Sequence, residues 1–209
     1  MQPKTHTSDT QCTWTNYQTW PEGERWEIID GVAYNMSPAP STRHQTVVIR
    51  ISSRLEQKLS GKPCRPFTAP TDVRLSETDV VQPDLLVVCD PAKITPTHIE
   101  GAPDMVMEIL SPSTSTKDLR EKKALYARAG VREYLVVDPL EHYAIRFLLG
   151  TDGAFDEGAV IGPQETLTFA TLNDLEIPLW EVFEVPGPAE EAVVPANQDV
   201  TSTHFQNAT

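Results

Sequence analysis

Val47, Ile51, Leu55 and Leu59 recur every four residues, the spacing of one buried face of an α-helix. Thr42 and Gln45 ahead of them have the capping-box spacing and Gly61 follows as a stop, so a helix is predicted over about 42–59. Before it, RWEIIDGVAYNM (25–36) reads as a β-hairpin turning at Asp30-Gly31. After it the period changes to that of strands. One strand is predicted within 64–75, ending near Asp72 to Leu75, then a turn at 77–79. A second spans Val80–Cys89, with Pro83 marking an entrance, an edge or a bulge. A third spans Met105–Leu110, after a proline-punctuated loop at 90–103. The turn residues SPSTST lead into a predicted helix from about Lys117 to Ala129, closed by Gly130. Glu133–Asp138 is a nearly continuous apolar run of the buried parallel kind. Residues 105–138 thus form a βαβ unit.

The remaining pattern is β-like at 142–149 and 159–169, with a turn at Thr151-Asp152-Gly153 and a last short element within 172–183. Trp14 to Trp20 is rich in aromatics and is expected to form a short helix or a lid over the core. Residues 1–13 and 186–209 have little to bury and are predicted to be disordered, the latter as an acidic tail. The expectation is one α/β domain over 14–185, with a central mixed β-sheet flanked by α-helices.

Charge changes this picture only locally. The formal net charge of −13 argues against non-specific nucleic-acid binding. Yet the basic residues are concentrated. Arg43, Arg50, Arg54, Lys58, Lys62 and Arg65 stand against Glu56 alone over 43–65, and Lys117, Arg120, Lys122, Lys123, Arg128 and Arg132 against Asp118 and Glu121 over 117–132. Arg50, Arg54 and Lys58 share one helix face, which is either a phosphate-facing ridge or the wet side of an amphipathic helix. Cys12, Cys64 and Cys89 show no CxxC and no disulfide framework, which points to a reducing cytoplasm.

Two carboxylates stand out because their neighbours are apolar: Asp84 in VVQPDLLVV and Glu108 in MVMEIL. A carboxylate in a buried strand is costly unless a cation or hydrogen bonds satisfy it. Lys122 and Lys123 follow on the next helix, and Asp118 lies four residues before Lys122, placed to pair with it. Two carboxylates and an ammonium at one place suit a hydrolytic Mg²⁺ site. The histidines share no zinc-ligand spacing, and Ser111 and Ser113 lack a nucleophile-elbow context.

The series PD…ExL…K resembles the PD-(D/E)XK, restriction-endonuclease-like nuclease superfamily, and more narrowly the Uma-two group of endonucleases. The runs that carry the resemblance are WEIIDGVAYNMSPAPSTRH, VVQPDLLVV, MEILSPSTSTKDLREKKALYARAGVREYLVVDP and LTFATLNDLEIPLWEVF, within about residues 20–184. The resemblance implies a restriction-endonuclease-like core and a Mg²⁺- or Mn²⁺-dependent endonuclease acting on DNA. It implies Asp84 and Glu108 as metal ligands, the Ile109 carbonyl as another, and Glu27 as an acid that binds the metal directly or through water. The superfamily's usual lysine, two residues after the acid, is Leu110 here. Lys122 is the matching substitute, with Lys123 as its rival. His44 either touches the scissile phosphate or caps its helix, and Arg50, Arg54, Lys58 and Lys123 are candidate nucleic-acid contacts. A homodimer is expected, since two-fold symmetry serves the cutting of two strands. The alternative is a nuclease-fold protein that no longer cuts and binds nucleic acid or protein, favoured by Leu110 and the acidic net charge.

Overall fold

The computed structural model describes residues 11–189 apart from 22, 37–38 and 113–114. A one-turn helix α1 (Trp14–Tyr17) precedes the hairpin β1 (Trp26–Ile29) and β2 (Val32–Asn35). Helix α2 (Thr42–Leu59) is followed by β3 (Arg65–Thr68), β4 (Val73–Ser76), β5 (Asp79–Val81), β6 (Leu85–Val88), β7 (Ile99–Glu100) and β8 (Met105–Ile109). The next helical segment has three parts: α3 (Ser115–Lys117), a π turn (Asp118–Lys122) and α4 (Lys123–Ala129). Strands β9 (Glu133–Asp138), β10 (Tyr143–Leu148), β11 (Ala159–Ile161), β12 (Thr166–Phe169) and β13 (Leu175–Pro178) and helix α5 (Leu179–Phe183) complete the fold.

The six-stranded sheet runs β11-β10-β9-β8-β6-β3 and the five-stranded sheet β2-β1-β5-β4-β7. Both are mixed: β8 and β9 are parallel neighbours, as the βαβ pattern requires, while β6 runs antiparallel to β8. Side chains alternate across the larger sheet. Met105, Met107, Ile109, Leu135 and Val137 face α2 and α5, joining Val47, Ile51, Leu55 and Leu59 in one core. Val106, Leu110, Tyr134 and Val136 face α4, packing with Leu125 and Tyr126 and with Ile29, Val73 and Val81 of the smaller sheet. The aromatic stretch at the N-terminal end covers the other face of the smaller sheet, where Trp14, Tyr17 and Trp20 lie against Trp26, Ile28 and Val80. The expected helix or lid is therefore both.

The hairpin turns as expected, with Asp30 (φ 53°) and Gly31 (φ 75°) both left-handed. Several expectations are corrected. Ser41 rather than Thr42 caps α2, because its side chain is three residues before His44 and accepts that residue's N–H. The single strand expected in 64–75 is two strands in different sheets, separated by a bend holding the cis Ala69-Pro70 bond. Val80–Cys89 also divides, because the chain crosses from one sheet to the other at Gln82-Pro83-Asp84. The 159–169 pattern splits likewise, since β12 pairs only with β13. The helix expected from Lys117 starts at Ser115 and contains the π turn, which the apolar spacing does not reveal.

The reading of the cysteines is overturned for two of them. Arg65 pairs with Val88 in the β3–β6 ladder, so one further step sets Cys64 opposite Cys89, and the two form a disulfide. This removes the argument from free thiols to a reducing compartment. Cys12 is free and buried, and its N–H donates to the Gly31 carbonyl, so packed structure begins before Trp14. Most of both segments expected to be disordered, residues 1–10 and 190–209, lies outside the described residues. Among the described residues no helix is long and apolar enough to cross a membrane.

Candidate active site

The place where the chain changes sheets brings the carboxylates together. Glu27 lies on β1, whose neighbour β5 ends just before the crossing. Asp84 stands at the crossing itself, and Glu108 lies on β8 beside β6. Period-two alternation turns Glu27, with Ile29, toward the shared interior, and turns Glu108, with Val106 and Leu110, toward the same side. The segment 115–129 lies over that interior and supplies Lys117, Asp118, Lys122 and Tyr126.

Lys122 is the centre of the cluster. Its Nζ is 2.9 Å from Glu27 Oε1, 2.9 Å from Glu108 Oε1 and 3.8 Å from Asp118 Oδ1. Glu27 is 2% exposed, Glu108 3% and Lys122 4%. The Tyr126 hydroxyl donates to Glu108 Oε1 at 2.7 Å, and Lys117 Nζ donates to Glu27 Oε2 at 2.8 Å. The Gln82 N–H adds a bond of 3.2 Å to Glu27 Oε1. Asp84 is held separately: its Oδ2 accepts from the Ile109 N–H at 2.8 Å and lies 3.1 Å from His44 Nε2.

These contacts set the protonation states. Burial pushes the Glu27 carboxyl up, but Lys122 and Lys117 outweigh it and hold the group down at about 2. Burial also pushes Glu108 up; Lys122 opposes this, while Asp118, Asp84 and Glu27 add to it, and the carboxyl is raised to about 8. Burial alone would discharge Lys122, yet Glu108, Glu27 and Asp118 hold its ammonium well above the ordinary lysine range. Burial, then Glu108, raises the Tyr126 phenol, so it stays a donor.

The structure thus brings Asp84, Glu108, Glu27 and Lys122 into one region and separates them from Lys123. The Lys123 ammonium lies 3.6 Å above the Phe147 ring, on another side of the helix. Glu27 has both oxygens occupied by ammonium groups, so it holds the lysines. Ile109 meets Asp84 through its amide. His44 is buried beside Asp84, and its side chain does not cap α2. Arg50 donates to the Glu181 carbonyl and to Glu184, and Arg54 binds the Glu181 carboxylate, so both are engaged by α5. Lys58 is exposed.

Two side chains escaped sequence reasoning. By its apolar surroundings in the sequence Tyr126 reads as core packing, although its place four residues after Lys122 sets both on one helix face. Lys117 had no signal, because in an ordinary α-helix it would face away from Lys122.

Among the described residues, no three His, Cys, Asp or Glu side chains are grouped so as to hold a metal by themselves. Asp84 meets its neighbours through Oδ2, and Glu108 meets Lys122 and Tyr126 through Oε1.

Comparison with known proteins places the chain. An uncharacterized protein of Synechocystis sp. (strain ATCC 27184 / PCC 6803 / Kazusa) is 32% identical over 125 residues, 58% of this chain and 65% of that protein. The match therefore spans less than two thirds of that relative. A crystal structure described as "a putative nuclease belonging to DUF820 from Anabaena variabilis ATCC 29413" superposes with a TM-score of 0.69 at 19% identity. It covers 82% of this chain and 97% of that one, and so shares the fold. The Uma2 family, described as "Putative restriction endonuclease", matches residues 14–179, and the chain belongs to that family.

Proposed function

We propose that the chain is a divalent-metal-dependent endonuclease that hydrolyses phosphodiester bonds in DNA, using Mg²⁺ or Mn²⁺ at Asp84 and Glu108. The observation that carries this reading is the gathering of Asp84, Glu108 and further carboxylates around two lysines in a largely buried cluster. Glu27, Glu108 and Asp118 lie within reach of the ammonium groups of Lys117 and Lys122, while Asp84 meets the His44 imidazole and the Ile109 N–H. Carboxylates outnumber ammonium groups here, and a divalent ion would offset that excess. Burial first, and then the neighbouring Asp118, Asp84 and Glu27, raise the Glu108 carboxyl.

The donor set suits Mg²⁺, which prefers oxygen and keeps several waters, so one or two carboxylates suffice. Asp84 Oδ1, Glu108 Oε2 and the Ile109 carbonyl would hold it. A bound ion would offset charge on the phosphate and acidify a water. The chain's own groups do the rest. His44 and the Ile109 N–H fix Asp84 through one oxygen, and Tyr126 fixes Glu108. Lys122, held charged, acts as a donor that orients the attacking water. Glu27 anchors Lys122. Two copies related by a two-fold axis would present two such sites to opposite strands.

The test is cleavage of supercoiled plasmid, single-stranded DNA and RNA at low salt with Mg²⁺ or Mn²⁺. DNA cutting that disappears with EDTA and in both Asp84→Ala and Glu108→Ala is expected. A folded wild type that cuts none of these refutes the proposal.

A further inference from the structure

The helical segment over the site changes its winding where it matters. In an α-helix, residues five apart lie about 140° apart around the axis. In a π turn the helix widens so that residues five apart are closer to stacked, and such insertions gather at functional sites. Lys117 immediately precedes the π turn Asp118–Lys122, and Lys122 ends it. Both ammonium groups reach the same carboxylate, at 2.8 Å and 2.9 Å from Glu27. The π turn is therefore what converts one active-site lysine into two.

The two lysines differ in access. The Lys122 side chain is 5% exposed and is shared between Glu27 and Glu108, whereas that of Lys117 is 22% exposed. Its Nζ lies 4.2 Å from the centroid of the Tyr34 ring, which steadies a cation without neutralising it. Glu27 carries one negative charge against two ammonium groups. Lys122 is drawn toward Glu108 as well, and Lys117 is the member of the pair that presents an ammonium to solvent.

We infer that Lys117 binds a non-bridging phosphate oxygen of the nucleic-acid substrate, as the solvent-side arm of a lysine pair anchored on Glu27. This rests on the nuclease reading above. The contact is electrostatic, and no bond is made or broken at Lys117.

The experiment compares wild type, Lys117→Met, Lys117→Arg and Lys62→Met, the last an exposed lysine in the loop after α2. Two quantities are read: kcat and KM for plasmid cleavage with Mg²⁺, and the salt dependence of binding to a labelled 20-base-pair DNA duplex in EDTA. Lys117→Met should lower kcat/KM by about tenfold or more and reduce the salt slope by about 0.9, the loss of one phosphate contact. Lys117→Arg should restore most of both, and Lys62→Met should match wild type in cleavage. Circular dichroism melts establish that each variant is folded. If the wild type cuts and Lys117→Met keeps its kcat/KM and its salt slope, the role of Lys117 is wrong and the nuclease reading stands. If the wild type neither cuts nor binds, both fail.

Discussion

Lys122 on the π turn and Glu27 on the first strand of the smaller sheet meet at 2.9 Å, tying the helix over the site to the sheet beneath it. Both are buried, and Glu27 is held ionised by Lys122 and Lys117 against the pull of burial. Removing one partner of a buried pair leaves the other uncompensated and costs about 3–5 kcal/mol. Glu27→Gln, which keeps the shape and removes the charge, should therefore lower unfolding free energy by about that much. Urea unfolding at neutral pH checks it, and a loss under about 1 kcal/mol would show that the lysines are held by something else.

The two adjacent lysines should behave differently. Lys122→Met removes the donor beside Glu108 and should reduce cleavage by about 10²-fold or more. Lys123→Met removes an ammonium that rests on Phe147 and should cost less than about tenfold. Cleavage rates of the two folded variants decide the assignment.

The metal-free protein should lose stability as pH rises. Glu108 sits at about 8 when folded against an ordinary 4.5, so its protonated form favours the fold. That contribution is complete below about 4.5 and is lost as pH rises through about 8, with a slope of at most about 1.4 kcal/mol per pH unit. Glu27 has the opposite sign. Its folded value of about 2 lies below 4.5, so its contribution is present above 4.5 and disappears as pH falls toward 2. Urea midpoints in EDTA from about pH 5 to 8 should decline for wild type and flatten for Glu108→Gln.

The Cys64–Cys89 bridge closes a sequence separation of 25 residues. Loop-closure entropy for that length is worth about 3.5 kcal/mol. Dithiothreitol should therefore lower the unfolding free energy of wild type by roughly that amount and leave a Cys64→Ser, Cys89→Ser double variant unchanged. Thiol titration of the native, unreduced protein supplies the check on pairing.

Much of this was legible in the chain, for stated reasons. The four-residue spacing of Val47, Ile51, Leu55 and Leu59, the Asp30-Gly31 turn and the nearly continuous apolar run at 133–138 are each local signals and survived intact. Asp84 and Glu108 were conspicuous because carboxylates are expensive among apolar neighbours. What stayed hidden depends on contacts between distant segments. The sheet change at Pro83 splits a run that reads as one strand. The pairing of Cys64 with Cys89 follows from strand register, which no spacing encodes. Arg50 and Arg54 form a clean basic stripe, and only the docking of α5 shows that Glu181 and Glu184 receive them. Lys117 was invisible because the π turn alters the period on which face assignments rest.

The reading stands or falls on whether Asp84 and Glu108 together hold one divalent ion. Calorimetric titration of Mn²⁺ into the metal-free protein at about pH 8, near which the Glu108 carboxyl ionises, tests this directly. One ion per chain in the wild type, with binding weakened about 100-fold or more by Asp84→Ala or Glu108→Ala, is the predicted result. A folded wild type that takes up no Mn²⁺, or binding that is unchanged in both variants, would contradict it.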